Sequence, residues 1–527
     1  MTSIMDNPTF QTILAELAAR RVVIGSGLVV LAAAWLLPSL FETDNLSHIP
    51  IVGKGSKGKR RKYFSSGGAW ELYDEGYNKF KNGLFRLATA SLSESIVVSP
   101  KYLAELKRLP DDVLSFSGAI NESMQTHYTK VNPDIPALPR IIQKHLTPAL
   151  GKLNRVISEE VIKAMALELP QTSEWEEVDI NKKLLRIVAI ISGRIFVGPE
   201  LCHDEKYLDV AINYTVDVMI AAYVVGMVPP WMRPWVAPRL PMVKKLQTRI
   251  READEFLRPV VKERREAMAD PSNEMPDDML QWIINSQKEL KMTDDKEFAE
   301  LQLGVSMAAI HTTTLTTLNS LFSLAVMPEI VPELQDDIRQ ALAESDGDFS
   351  SSALQNMKKL DSFLKETMRY YPLAAASFHR KVLKPFQLST GEFIPKGVII
   401  EVPAASISSD DGVFEDADKF DALRFYKLRQ LKKEQTSGVK AAETVANSQF
   451  VSVSESSLTF GYGRHACPGR FFAANEIKMI LANLLLHYEI RNPDGVTERH
   501  KNIRMGAQLV PDYKKKIMVR KLGQEKA

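Results

Sequence analysis

A mainly α-helical domain with small β-sheets, preceded by one membrane-crossing helix, is the fold that three features of this 527-residue sequence predict. Helical periodicity dominates from about Pro136 to Tyr371. Strand-like runs are short and few: Ser93 to Val98, Phe386 to Ile394 and Val398 to Val402. Near the N-terminus, the 20 residues from Val22 to Phe41 carry no charge and would span roughly 30 Å as a helix, about one hydrocarbon core.

The segments follow in order: a tail over 1–21, a transmembrane anchor over 22–41, a basic linker over 42–62 and a catalytic domain over 63–527. Arg20 and Arg21 precede the anchor, whereas Lys54, Lys57, Lys59, Arg60, Arg61 and Lys62 follow it, so the bulk of the chain is expected on the cytosolic side. A cleaved signal peptide is the alternative; the long stretch before the apolar run and the lack of a small-residue cleavage site after it favour an anchor. Ile49 to Gly53 contains the proline and glycine that end any helix leaving the membrane. With 45% hydrophobic residues the remainder can bury a large core around a cavity. A net charge of +2 gives no reason to expect nucleic acid as a partner. Two cysteines, Cys202 and Cys467, are too few for a disulfide framework and agree with a reducing compartment.

Met227 to Trp235 is too proline-rich for a regular helix and apolar for a loop, so it either packs on its own domain or dips into lipid. Asp294 to Met327, 34 residues without proline and closed by Pro328, predicts one long buried helix of about 50 Å. Thr312, Thr313 and Thr314 at its middle are β-branched residues that can hydrogen-bond their own backbone, and a local kink is expected there. Asp361 is placed as the cap of a helix running to about Tyr370, on which Glu366 and Arg369 share a face. Residues 430–457, rich in Lys, Ser, Thr and Ala, read as a mobile surface insertion.

The sequence Phe460-Gly461-Tyr462-Gly463-Arg464-His465-Ala466-Cys467-Pro468-Gly469 sets a sulfur in a glycine-cushioned loop. Gly461, Gly463 and Gly469 lack a β-carbon, which lets the backbone turn tightly and approach a flat ligand. Pro468 suits the first turn of a helix, so the apolar run from Phe471 to Leu486 is expected to start just past the cysteine, with free N–H groups near its sulfur. In isolation, Cys467 could equally be a buried thiol in a turn.

The spacing of that loop resembles the haem-binding signature of cytochromes P450, with His465 where the family usually has arginine. Three further motifs stand in the family's order. Glu366 and Arg369 resemble the Glu-x-x-Arg of its K helix, for which Arg424 would be the third, downstream member of a buried network; a solvated surface pair is the alternative. The stretch Ala308 to Thr314 resembles the distal I-helix pattern, which implies Thr312 as a proton relay to dioxygen and His311 in the place of the usual acid. Arg380, in order, matches a basic contact to a haem propionate, as His465 does. The family's Trp-x-x-x-Arg contact from the C helix is missing, and Arg140 or Lys144 could substitute.

The resemblance implies haem b held by Cys467, with Phe460, Gly461, Gly463, His465, Gly469 and Arg380 binding the cofactor, Thr312 and His311 catalytic, and Glu366, Arg369 and Arg424 structural. It implies a monooxygenase of the endoplasmic reticulum membrane, single-pass and cytosol-facing. Electrons would come from an NADPH-cytochrome P450 reductase, with cytochrome b5 as a further donor, because no nucleotide-binding glycine signature is present. The substrate would be a hydrophobic small molecule: both Ala309 to Thr313 and Phe460 to Ala473 resemble fungal members that oxidise terpenoids, including indole diterpenes. A haem-thiolate isomerase or dehydratase needing no reductant, and a non-catalytic haem protein, are the alternatives.

Overall fold

The computed structural model describes residue 26 and residues 46–89, 93–131, 137–292, 294–435 and 445–523. The chain divides into two units, Met1–Pro50 and Ile51–Ala527. In the first, Ser26 is helical and residues 46–49 form a turn closed by the Ile49 N–H on the Leu46 carbonyl at 2.9 Å. The expected anchor, Val22 to Phe41, lies outside the described residues apart from Ser26.

In the second unit the basic stretch expected to be linker is helical, Lys57–Tyr63. Helix α1 (Ala69–Lys79) then leads into strands β1 (Leu84–Leu87), β2 (Ser95–Val98) and β3 (Leu114–Ser115), and β3 runs directly into α2 (Phe116–Met124). The main helices follow: α3 (Thr147–Glu168), α4 (Ile180–Phe196), α5 (Glu205–Met227), α6 (Pro241–Ala267), α7 (Lys296–Leu324), α8 (Val331–Ala343) and α9 (Lys358–Tyr370), with the short strand β4 (Glu176–Val178) before α4. Strands β5 (Ser377–Val382), β6 (Phe386–Gln387), β7 (Phe393–Ile394) and β8 (Ile399–Val402) come next, then α10 (Arg424–Gln435) and α11 (Arg470–His487). Strands β9 (Tyr488–Arg491), β10 (Asn502–Met505), β11 (Gln508–Pro511) and β12 (Ile517–Lys521) close the chain.

The core is a bundle in which α4 packs on both α3 and α7, while α11 packs on the other faces of these two. Ile187 to Ile191 are all fully buried, so α4 is covered all round, as a central helix must be. Helix α7 is enclosed along most of its length and open at its middle, where Ala308 and Thr312 are exposed. It is shorter at both ends than the sequence suggests. Its hydrogen-bond ladder is continuous through the threonine cluster, where a kink was expected: Thr312, Thr316 and Thr317 turn their hydroxyls back onto carbonyls four residues earlier, which satisfies them without opening the helix.

The main sheet has the order β1-β2-β8-β5-β3, antiparallel except for the parallel β2–β8 pair. The register between β5 and β8 shifts between Ser377 and Arg380, and Phe378 inside that irregularity has φ +58°. A bulge of this kind re-aims the side chains that follow it. Met227 to Trp235 ends α5 and is followed by a helical turn, Arg233–Val236; Trp231 and Trp235 are 57% and 64% exposed. Among the described residues, α5 alone is long and apolar enough to cross a membrane by composition, yet half of that window is buried in the bundle. The segment expected to be a loose insertion is anchored at its described end: Phe450 is buried and Ser448 accepts a bond from Arg429.

Candidate active site

Cys467 lies one turn ahead of α11, at the end of a loop that folds back on itself. The Cys467 N–H donates to the Phe460 carbonyl at 2.7 Å, and the Gly461 N–H donates to Leu458 at 2.9 Å. Gly461 and Gly463 have φ +74° and +69°, where a side chain is strained, and a β-carbon on Gly461 would stand 3.3 Å from the His465 carbonyl. Gly469 differs: a β-carbon there would meet no protein atom within 4 Å, so what the glycine keeps clear is space beyond the protein. Burial pushes the Cys467 thiol up, while the nearby backbone N–H groups of Gly469 and Arg470 and the Arg470 charge pull the other way. A metal would displace the thiol proton, and those N–H groups would then face a thiolate. Phe460 packs edge-on against Phe450, ring centres 5.6 Å apart, and so ties the loop to the segment before it.

The bulge in β5 turns Arg380 inward. Only 5% exposed, its guanidinium lies over the rings of Phe378 and Phe116 at 4.3 and 5.1 Å and donates to the His379 carbonyl, with no carboxylate in ion-pair range among the described residues. Burial pulls its pKa down to about 10. A buried cation without a counter-charge is costly, and an anionic group of a ligand would relieve it. His465 is differently placed from the expected propionate contact: its Nε2 is 2.9 Å from Asp111 Oδ1, and its ring stacks on Phe116 at 5.3 Å. Burial alone raises the Asp111 pKa, but His465 and Arg464 outweigh it and hold the carboxyl below its ordinary value. Of the two basic groups expected to meet a propionate, Arg380 has no ion-pair partner among the described residues, and His465 meets Asp111 through Nε2. Arg140 and Lys144 are both exposed.

On α7, Thr312 is exposed, and its hydroxyl donates to the Ala308 carbonyl at 2.7 Å, which leaves its lone pairs open. His311, one residue earlier, faces elsewhere. Its Nε2 stands 2.7 Å from the Ile212 carbonyl on α5; a carbonyl only accepts, so that nitrogen carries the proton and donates. Burial also lowers its pKa. His311 thus ties α5 to α7 through its Nε2.

A buried charge network lies on α9. Glu366 is fully buried and takes Nε and Nη2 of Arg369, each at 2.7 Å, and Nε of Arg424 at 3.1 Å. Asp361 is not the cap, since Met357 stands at that position. Its carboxylate instead takes Lys478 at 2.7 Å, the Phe450 N–H at 2.9 Å and Arg429. Sequence reasoning missed Lys365, whose Nζ holds the Gln449 carbonyl and the hydroxyls of Ser452 and Ser457 at 2.8, 2.7 and 3.2 Å. Its spacing of four from Asp361 on one helix face was the available signal. Cys202 is remote from all this: it is buried, with its thiol pushed up to about 11 by burial.

A donor sulfur backed by N–H groups, a clear space beside it and a buried guanidinium in want of an anion together fit a flat, anionic, metal-bearing cofactor. The comparisons agree. The cytochrome P450 family profile matches residues 137–519, and the chain belongs to that family. Cytochrome P450 monooxygenase ATR3 of Stachybotrys chlorohalonatus is 41% identical over 81% of this chain and 89% of its own. Cytochrome P450 monooxygenase AN1598 of Emericella nidulans is 36% identical over 93% of this chain and 91% of its own. The retinoic acid bound cyanobacterial CYP120A1 superposes with a TM-score of 0.65 over 90% of this chain and 99% of its own, at 15% identity, which shows the fold. The activity is that of a P450 monooxygenase, its cofactor is haem held by a cysteine thiolate, and it requires a redox partner and a hydrophobic substrate.

Proposed function

We propose that Cys467 is the axial sulfur donor of a membrane-bound monooxygenase that oxidises a terpenoid, such as an indole diterpene, in one or several steps. The observation that carries the ligand assignment is the folded-back loop that sets Cys467 one turn ahead of α11, its N–H on the Phe460 carbonyl at 2.7 Å and open space beside Gly469. Haem supplies, when bound, the activation of dioxygen that places one oxygen atom in the substrate and the other in water. Cys467 would hold the iron, and the Gly469 and Arg470 N–H groups near its sulfur would tune its donor strength. Arg380 receives a propionate, and His465, through Asp111, fixes the loop between α2 and the cysteine. The Thr312 hydroxyl holds and passes a proton at the distal face. His311 keeps α5 against α7 and so holds one wall of the cavity. Glu366, Arg369 and Arg424 brace the segment leading to the loop.

The division into a tail (1–21), an anchor (22–41), a basic linker (42–62) and a catalytic domain (63–527) supports a single-pass protein of the endoplasmic reticulum, supplied with electrons by an NADPH-cytochrome P450 reductase and by cytochrome b5. The terpenoid substrate is supported by the likeness of Ala309 to Thr313 and Phe460 to Ala473 to fungal terpenoid-oxidising members. Two experiments test this reading. Cys467→Ala should abolish the thiolate-type spectrum of the reduced carbon monoxide adduct in expressing membranes, and an unchanged spectrum refutes the ligand. Co-expression with a reductase and terpenoid substrates should yield oxygenated products by mass spectrometry; turnover without reductase refutes the electron route.

A further inference from the structure

Helix α6 leaves part of its charge unmatched. Where an acid is near, its cations are paired: Lys245 reaches Asp217 at 2.8 Å, Arg258 reaches Asp254 at 2.6 Å and Arg265 reaches Asp295 at 2.8 Å. On another face Lys244, Thr248 and Arg251, spaced four and three apart, line a recess of about 490 Å³. Lys130 and, from the amino end of α7, Lys296 and Glu300 also line it. None of the four cations has an ion-pair partner among the described residues. The Arg251 Nη2 donates to the Thr248 oxygen at 2.9 Å, which leaves the Thr248 hydroxyl hydrogen free to donate in turn.

Four like charges around one hollow repel each other, and among the described residues none of them is held in an ion pair. Glu300, the one carboxyl in the lining, is a poor counter-ion: it is half-buried, and burial, with the nearby Glu297 and Asp294, raises its pKa against the pull of Lys296 and Lys130. The amino end of α7 adds its partial positive charge to the same place. The volume exceeds that of inorganic phosphate and lies in the range of organic ligands. Glu300 and Thr312 are twelve residues apart on α7, about 18 Å along its axis, so the recess is separate from the haem site.

We propose that this recess binds a phosphate-type anion through Lys130, Lys244, Arg251 and Lys296. Its source is either an anionic phospholipid headgroup or a soluble phosphorylated molecule. Each cation lost from such a site weakens binding about tenfold or more.

The test uses the full-length, haem-loaded enzyme in neutral detergent, titrated with inorganic phosphate against chloride at matched ionic strength, with melting temperature as the readout. Saturable stabilisation is expected. In Lys244→Gln/Arg251→Gln, and separately in Lys130→Gln/Lys296→Gln, the phosphate affinity should fall about a hundredfold, with an unchanged haem spectrum reporting the intact fold. The control Lys514→Gln/Lys515→Gln removes the same charge from a distant exposed turn and should bind as the native enzyme does. Equal loss in the control, or no loss in either recess pair, overturns the site, as does failure of the native enzyme to respond both to phosphate and to mixed micelles containing phosphatidic acid. Displacement of phosphate by those micelles, and not by phosphatidylcholine micelles, identifies the lipid source; phosphate binding that phosphatidic acid leaves untouched identifies the soluble one.

Discussion

Replacing Glu366 by glutamine keeps the side chain's volume and removes only its charge. The carboxylate at this position is wholly buried and accepts two bonds from Arg369 at 2.7 Å, contacts from Arg424 at 3.1 Å and the Asp421 N–H at 3.0 Å. Glutamine would turn an N–H₂ group toward guanidinium donors and leave two buried cations with no anion. Breaking a buried pair from one side costs about 3–5 kcal/mol. Both arginines also donate to carbonyls, Arg369 to Ser408 and Ala417 at 2.7 and 2.9 Å and Arg424 to Lys419 at 2.9 Å, which spreads their charge and places the cost near the lower bound. About 3 kcal/mol is a large share of the roughly 5–15 kcal/mol that holds a folded protein together. With an m-value of about 3 kcal/mol/M, the urea midpoint should fall by about 1 M. The assay is urea unfolding followed by loss of the haem band, alongside haem content of expressing membranes. A midpoint and haem content equal to those of the native protein would refute the reasoning, since Glu366 would then not be the charge that balances the two arginines.

Thr312→Ala should retain haem yet lower the product formed per NADPH oxidised, with the balance appearing as peroxide and a rate loss of about tenfold or more, whereas Thr312→Ser should restore coupling; peroxide and product assays decide. His311→Ala should lose the Ile212 bond, worth about 1 kcal/mol, and weaken substrate binding in the spectral titration, while His311→Gln, which still donates, should bind like the native enzyme; a turnover profile whose ionisation vanishes in His311→Gln would show a proton-carrying role. Glu476 is fully buried on α11, bonded to Ser192 at 2.9 Å, and burial pushes its pKa up to about 8. The folded state therefore keeps a proton that the unfolded chain has lost, so stability falls as pH rises from the ordinary carboxyl range to about 8 and levels off above it. Glu476→Gln should flatten that fall, gaining roughly 4 kcal/mol over the native protein in mildly alkaline solution; parallel melting curves across this range would contradict it.

The elements that the sequence specified well are those whose signal is local. Helical periodicity located the central bundle, and Pro468 placed the start of α11 within two residues. Short range also governs the cysteine loop, where two glycines at positive φ write their own turn. Elsewhere a local rule met a stronger distant partner. Asp361 suits a cap, but the cations of α10 and α11 take its carboxylate. The polar composition of 448–457 suggests mobility, but Lys365 and Asp361 provide buried partners for its backbone and hydroxyls. Of the threonines that favour a kink in isolation, Thr312 turns its hydroxyl onto the Ala308 carbonyl, and the helix runs on through all three.

By itself, the order of residues determined the family and its mainly α fold, because both are carried by spacings along the chain. Which groups face one another was decided only by the folded backbone. A one-residue irregularity in β5 accompanies the burial of Arg380 without an acid; Asp111, some 350 residues from His465, takes that ring; and a carbonyl on α5 claims His311. Charge and hydrogen bonding act over a few ångströms in space, whatever the separation in sequence, so partners brought together by packing leave no periodic trace in the chain that encodes them.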